Sequence, residues 1–221
     1  VPILMYHYIR DVPASSPDKL GYGLSVAPKL FDQQVSWLAA NGYTSISMGQ
    51  LADHIAGGAP LPPKPIVLTF DDGYADFYTA ALPILQRYHF RATSYLVVDF
   101  LGKPGYMSWQ QAQAVQQAGL EVGDHTLDHV DLAIQLLPQA QRQIGDSRTM
   151  LQQRLGAPIG TFAYPSGRYN DSVVKMVGAD GFRSAVTTDP GDRYTAAKVL
   201  TLPRVRVSGG ESVAALAKSL A

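Results

Sequence analysis

Three groups of residues in this sequence could do chemistry together. The run Thr69–Phe70–Asp71–Asp72–Gly73 sets two carboxylates side by side, directly after the apolar stretch Ile66–Phe70. Adjacent carboxylates at the end of a buried strand are expensive, because like charges repel and desolvation disfavours both ions. A cation bound to one of them would relieve that cost. The bland alternative is an Asp-Asp-Gly turn in which Asp72 caps the next helix. The second group is Asp124–His125–Thr126–Leu127–Asp128–His129. A spacing of four predicts that both imidazoles lie on one side of a helical turn, suited to two ligands of one metal ion, and taken with the carboxylate pair at another strand end they point to a metal site. Thr126 stands where the zincin motif needs a glutamate, so that motif is excluded. A set of two histidines and a carboxylate also occurs in non-haem iron oxygenases, but on a scaffold of strands alone. Two satisfied surface histidines are the remaining alternative.

The third group is less specific. His7 closes the run Leu4–Met5–Tyr6–His7–Tyr8 and suits either a proton donor or a hydrogen-bonded core residue. In Phe162–Ala163–Tyr164–Pro165–Ser166–Gly167–Arg168, Pro165 and Gly167 shape a tight turn that could aim backbone N–H groups at a developing oxyanion. Arg204 and Arg206 flank Val205, and strand alternation sends both to one face, where either could pair with a carboxylate. His54 and His89 fall on helix ends and read as structural. Asn170–Asp171–Ser172 matches a glycosylation sequon, but a helix N-cap explains it better.

The elements that must position these residues alternate between strand and helix. Strands are expected at Ile3–Tyr8, Thr44–Ile46, Ile66–Phe70, Ala92–Val98, Leu120–Gly123, Thr161–Tyr164, Phe182–Thr187 and Val205–Val207. Helices are expected at Lys29–Asn41, Met48–Ile55, Ala75–Tyr88 (with Pro83 kinking it or marking a first turn), Ser108–Ala118, Pro138–Leu155, Asp171–Val177 and Glu211–Leu220. Residues 11–28 read as a long irregular loop, and 57–65 as a stiff Pro-rich connector. Such alternation implies an α/β fold with a mostly parallel sheet, open or closed into a (β/α) barrel. In both forms the chemistry sits at the carboxyl ends of the strands. Asp71, His125 and Ser166 follow expected strands, and His7 lies at the end of one.

Composition narrows the function. The 221 residues carry 18 basic and 18 acidic side chains, so the formal net charge is zero. That argues against a nucleic-acid partner and against a polybasic membrane anchor. With no cysteine, disulfides, zinc fingers, Fe–S clusters and thiol nucleophiles are excluded. No apolar run approaches the ~20 residues needed for a transmembrane helix. The chain begins at Val1 rather than Met, which implies an upstream segment that has been removed; a secretory signal would fit. We read residues 1–221 as a single domain with no internal repeat.

Together, Thr69–Gly73 and His125–His129 resemble the first two motifs of the carbohydrate esterase family 4 polysaccharide deacetylases, the NodB-homology group. The resemblance runs in order and spacing through most of the chain. It implies a distorted (β/α) barrel of about seven parallel strands. It also implies Asp71 as catalytic base, and Asp72, His125 and His129 as ligands of a divalent metal: zinc, or else nickel, cobalt or iron. Two departures stand out. Tyr164–Pro165–Ser166–Gly167 lacks the arginine that normally precedes the third motif, and no histidine follows His129 to serve as the usual acid. The subgroup acting on poly-β-1,6-N-acetylglucosamine, a biofilm exopolysaccharide, looks circularly permuted and takes its histidine from an N-terminal Met-Tyr-His segment. Met5–Tyr6–His7 matches it.

By that resemblance His7 is the general acid, a backbone N–H near Ser166 completes the oxyanion site, and Arg204 or Arg206 replaces the missing arginine. Sugar contacts are expected from Tyr74, Trp109, Tyr164 and Pro165, with Tyr22 and Tyr106 as further aromatic candidates. The implied protein is an extracytoplasmic, monomeric hydrolase with a polysaccharide partner. Rival readings are deacetylation of chitin oligomers, peptidoglycan or acetylxylan, and a catalytically silent polysaccharide-binding domain. An aspartyl-phosphate enzyme using Asp71 would need a phosphate-binding loop that the sequence does not offer.

Overall fold

A computed structural model describes all 221 residues, Val1–Ala221. Eight strands form, all paired in parallel: β1 (Ile3–Tyr6), β2 (Thr44–Ile46), β3 (Pro65–Phe70), β4 (Thr93–Leu96), β5 (Glu121–Asp124), β6 (Thr161–Ala163), β7 (Ser184–Pro190) and β8 (Leu202–Arg206). The first strand closes the ring. β1 lies between β8 (Leu4↔Val205) and β3 (Ile3↔Val67 through Tyr6↔Phe70). Seven strands therefore make a closed barrel, and β2 pairs with the first half of β3 outside it. The ring is uneven: β5 meets β6 through one residue pair, and β7 shifts register against β8.

Strand alternation builds two cores. Ile3, Val67, Tyr95, Ala163, Val186 and Leu202, one from each of six barrel strands, meet in an inner cluster. Their strand neighbours, such as Leu4, Leu68 and Phe162, face outward into a 37-residue cluster beneath the helices. Burying each such aliphatic side chain contributes about 1.5–3 kcal/mol. Gly123 of β5 makes room for this packing. A Cβ there would lie 2.5 Å from the Tyr95 ring, which crosses the barrel so that its hydroxyl meets Thr161 Oγ1 at 2.8 Å.

The helices are α1 (Lys19–Leu24), α2 (Pro28–Ala40), α3 (Met48–Ile55), α4 (Leu82–Arg87), α5 (Trp109–Gln117), α6 (Leu137–Leu155), α7 (Asp171–Ala179) and α8 (Val213–Ser219). Local chemistry sets their ends. Ser47 and Ser108 form capping boxes with Gln50 and Gln111, Asn170 caps α7, and Gly156 ends α6 in the left-handed region. Two sequence expectations are corrected. Residues 11–28 are not wholly irregular: the Asp18 side chain accepts from Gly21 N–H and starts α1, and Tyr8 then bridges to Ser25. The expected helix Ala75–Tyr88 is interrupted. A π-turn at Phe77–Ala81 precedes α4, and Pro83 marks the first turn of α4, the second of the two roles expected of it, where its missing N–H is tolerated.

Candidate active site

Every strand-end group the sequence singled out reaches one cleft of about 360 Å³ at the carboxyl end of the barrel. His7, Asp71, Asp72, Tyr74, His125, His129, Ser166, Thr188 and Arg206 line it, with Leu20 and Leu24 of α1 at its edge.

Asp71 sits at its floor, 3 % exposed, and is held by Arg204 of β8, which is fully buried. The guanidinium donates in a fork to both carboxylate oxygens at 2.7 Å, and also to Thr69 Oγ1 and Thr187 O. Burial alone would push the Asp71 carboxyl up. The Arg204 charge and hydrogen bonds override it and hold the group well below the usual carboxylate range. Asp71 is therefore an anion of fixed orientation. His7 Nε2 stands 3.9 Å from Asp71 Oδ2. Burial lowers the imidazole's pKa, Asp71 and Asp72 raise it, and Arg204 and Arg206 lower it further; the net shift is downward. The downward shift favours the neutral imidazole at rest.

Asp72, His125 and His129 form the second centre. Each imidazole Nε2 lies 3.4 Å from Asp72 Oδ1, and the three ligand atoms lie within 4.8 Å of one another. Asp72 Oδ1 is buried and accepts no hydrogen bond. Two ligands about 2.0–2.1 Å from a tetrahedral ion stand about 3.3 Å apart. The triad thus fits a divalent metal in spacing and donor set, and its orphaned oxygen calls for one. His125 Nδ1 is engaged by Ala163 O at 2.7 Å, which leaves Nε2 facing Asp72.

The helical turn expected for the two histidines is absent. His125–His129 is loop, with Thr126 at φ 70° and His129 at φ 63°. Side chains fold it instead. Asp124 Oδ1 accepts from Thr126 N–H, and Thr126 Oγ1 accepts from His129 N–H. Asp124 is itself fully buried against Ser147 Oγ of α6, and burial pushes its carboxyl up to about 7. Of six non-glycine residues with positive φ, Asp72, Thr126, His129 and Ser166 lie in the cleft or its supporting loop. Backbone strain of this kind concentrates where surrounding structure fixes a functional geometry.

Ser166, at φ 52°, lines the cleft, and its N–H donates to no other backbone group. Arg204 and Arg206 do share a strand face, but only Arg204 is buried and paired. Of the expected sugar contacts, only Tyr74 lines the cleft. Its ring stacks between Tyr8 and Tyr106, which border an adjoining trough of about 440 Å³. Tyr164 and Pro165 are buried: the Tyr164 ring packs on Phe162 and its hydroxyl donates to Leu200 O. Trp109 packs on the outer core beneath Arg154, and Tyr22 lies against Gly209 and Gly210; neither lines the cleft. Aromatic type alone could not separate these from Tyr74. Sequence reasoning missed Thr188 and the α1 leucines in the cleft, and Asp124 as the support of the histidine loop; a carboxylate directly before His125 was the available signal.

Comparison with known proteins agrees with this geometry. Residues 58–185 match the family model described as polysaccharide deacetylase. YxkH of Bacillus subtilis (strain 168), a protein named for polysaccharide deacetylation, is 31% identical over 96% of this chain and 73% of its own. The poly-beta-1,6-N-acetyl-D-glucosamine N-deacetylase of Escherichia coli (strain K12) is 35% identical over 119 residues, which are 47% of this chain and only 18% of that protein. Among solved structures, the Streptococcus pyogenes deacetylase PplD in complex with acetate superposes with a TM-score of 0.92 at 32% identity, covering 100% of this chain and 98% of that one. The family model leaves out β1 and β8, which bring His7 and Arg204 to the cleft. With the barrel, the carboxylate pair and the Asp-His-His triad in place, the chain belongs to the polysaccharide deacetylase family.

Proposed function

We propose that this protein removes N-acetyl groups from an N-acetylglucosamine polysaccharide, poly-β-1,6-N-acetylglucosamine above others, outside the cytoplasm, and that its metal is zinc. The observation that carries the reading is the meeting of a fixed anion, Asp71, a neutral imidazole, His7, and an orphaned Asp-His-His triad in one cleft. The named substrate of the Escherichia coli relative and the Met5–Tyr6–His7 segment support the polymer assignment.

Asp72, His125 and His129 would hold the zinc, which when bound supplies Lewis-acid polarisation and acidifies water. The chain's own residues do the rest. Asp71 accepts a proton from the attacking water, and Arg204 keeps its oxygens aimed. The proton passes to His7, which is neutral and therefore able to take it, and His7 delivers it to the departing sugar nitrogen. The Ser166 N–H is free to donate to the developing oxyanion. The C–N amide bond breaks, and acetate and a glucosamine unit leave.

Acetate release from matched oligomers of β-1,6-linked N-acetylglucosamine, chitin, peptidoglycan and acetylxylan tests the reading. The β-1,6 oligomer should be fastest, and Asp71→Asn should lower its turnover by ~10³-fold or more while metal content stays at one per chain. Near wild-type turnover in Asp71→Asn would remove Asp71 as the base, and faster release from another glycan would reassign the polymer.

A further inference from the structure

The polar groups that line the cleft are mostly spoken for. Asp71 is saturated by Arg204, His125 by Ala163 O, and Thr188 Oγ1 points to Ser166 O. Arg206 is one that is not. It lines the same cleft, yet its guanidinium makes neither a hydrogen bond nor an ion pair with any group of the protein.

Arg206 is exposed at the cleft, so its N–H donors are open to a ligand there. Arg206 lies two residues beyond Arg204 on the same strand, so its nearest charged neighbour on β8 is a second cation. Desolvation and Arg204 both push its pKa below the ordinary arginine value, and Asp71 offsets this only in part. The one carboxylate in its field is already neutralised by Arg204. Arg206 is also a planar fork of N–H donors with no capacity to accept, the shape that binds carboxylates and phosphates in two-pronged fashion. The Ser166 side chain lines the cleft with it and hydrogen-bonds no protein group.

We propose that Arg206 forms a subsite for an anionic substituent, a carboxylate or phosphate carried by the saccharide unit beside the one that loses its acetyl group. This rests on the deacetylase reading and deepens it. N-acetylglucosamine itself is neutral and gives Arg206 nothing to pair with, so at one fixed linkage the subsite favours a chain carrying an anionic substituent over the plain chain. The acetate product is a second source of carboxylate, and the test separates it.

Calorimetric titration of the full chain after chelation, where no turnover occurs, gives the dissociation constants directly. The probes are a neutral N-acetylglucosamine tetramer, tetramers of the same length bearing a lactyl carboxylate or a phosphate on alternate units, and sodium acetate. At least one anionic tetramer should bind about tenfold tighter than the neutral one, as expected for one charge-assisted pair. That ratio should fall to within about twofold in Arg206→Gln and stand between the two in Arg206→Lys, and rising salt should shrink it only where the charge remains. Equal affinities in the wild type, no binding of any tetramer, or a preference that survives Arg206→Gln would overturn the subsite. So would Arg206-dependent binding of acetate alone without tighter binding of the anionic tetramers. Acetate release by the zinc-loaded protein is read separately, so failure of the deacetylase reading leaves these affinities interpretable.

Discussion

Arg204 decides what Asp71 can be. A buried carboxylate without a partner would drift towards its neutral form, and a neutral Asp71 could take no proton. Two donor contacts from the Arg204 guanidinium keep it charged and aimed, and two more, to Thr69 and Thr187, hold the guanidinium in place. Burial, aided by the same arginine and Arg206, holds His7 below its ordinary value of 6.5. The sign of that shift has a measurable consequence. A lowered pKa means His7 stays neutral from alkaline pH down past 6.5 and gains its proton only on further acidification. Nitrogen-detected NMR of the ring in the chelated protein should place the His7 midpoint below 6.5, and the rate should fall on the acidic side of that midpoint. A midpoint above 7 would show a protonated acid at rest and remove the relay from Asp71 to His7. Residue types and spacing made Asp71, Asp72, His125 and His129 legible in the sequence. Alternation put Arg204 and Arg206 on one face, but could not say which was buried, because burial depends on the distant strands β1, β3 and β7 that surround β8's side chains.

At the scale of elements, strands were easier to foresee than the loops that follow them. Thr44–Ile46 and Met48–Ile55 fall where apolar pattern and Ser47 place them. The histidine loop does not, because a spacing of four is equally met by a loop whose turns are fixed by side chains. Asp124, Thr126 and Gln143 of α6 supply those bonds, and only the folded barrel brings Gln143 near. The helix α1 escaped notice because Gly21 and Gly23 disguise it, while Asp18 provides the cap that starts it. Gly123 makes the matching point for strands. No periodicity reveals that Tyr95 fills the space its side chain would occupy. Gly123→Ala should destabilise the fold by about 1–3 kcal/mol through overpacking against that ring, seen as a lower denaturant midpoint with an unchanged slope. Unchanged stability would mean that the barrel interior is looser than this packing describes.

The whole molecule joins its two ends to make the site. β1 and β8, from opposite ends of the chain, pair with each other and close the ring, so His7 and Arg204 face Asp71 only in the completed barrel. The central segment that matches the family model supplies the carboxylate pair and the triad, and the flanking strands supply His7 and Arg204. No helix is long and apolar enough to cross a membrane. The alternation of strands and helices announced a mostly parallel sheet, open or closed, and the family resemblance implied the barrel; its closure through β1 and the exclusion of β2 from the ring follow from pairings that no local pattern encodes. The most direct test of the assembled site is acetate release from a β-1,6-linked N-acetylglucosamine oligomer as zinc is titrated into the chelated protein. Release should be absent at the start, rise with added zinc and level off at one equivalent, and it should fail to appear in Asp72→Ala at any zinc concentration. Release from the chelated protein at the zinc-loaded rate, or full activity in Asp72→Ala, would contradict the role of the triad.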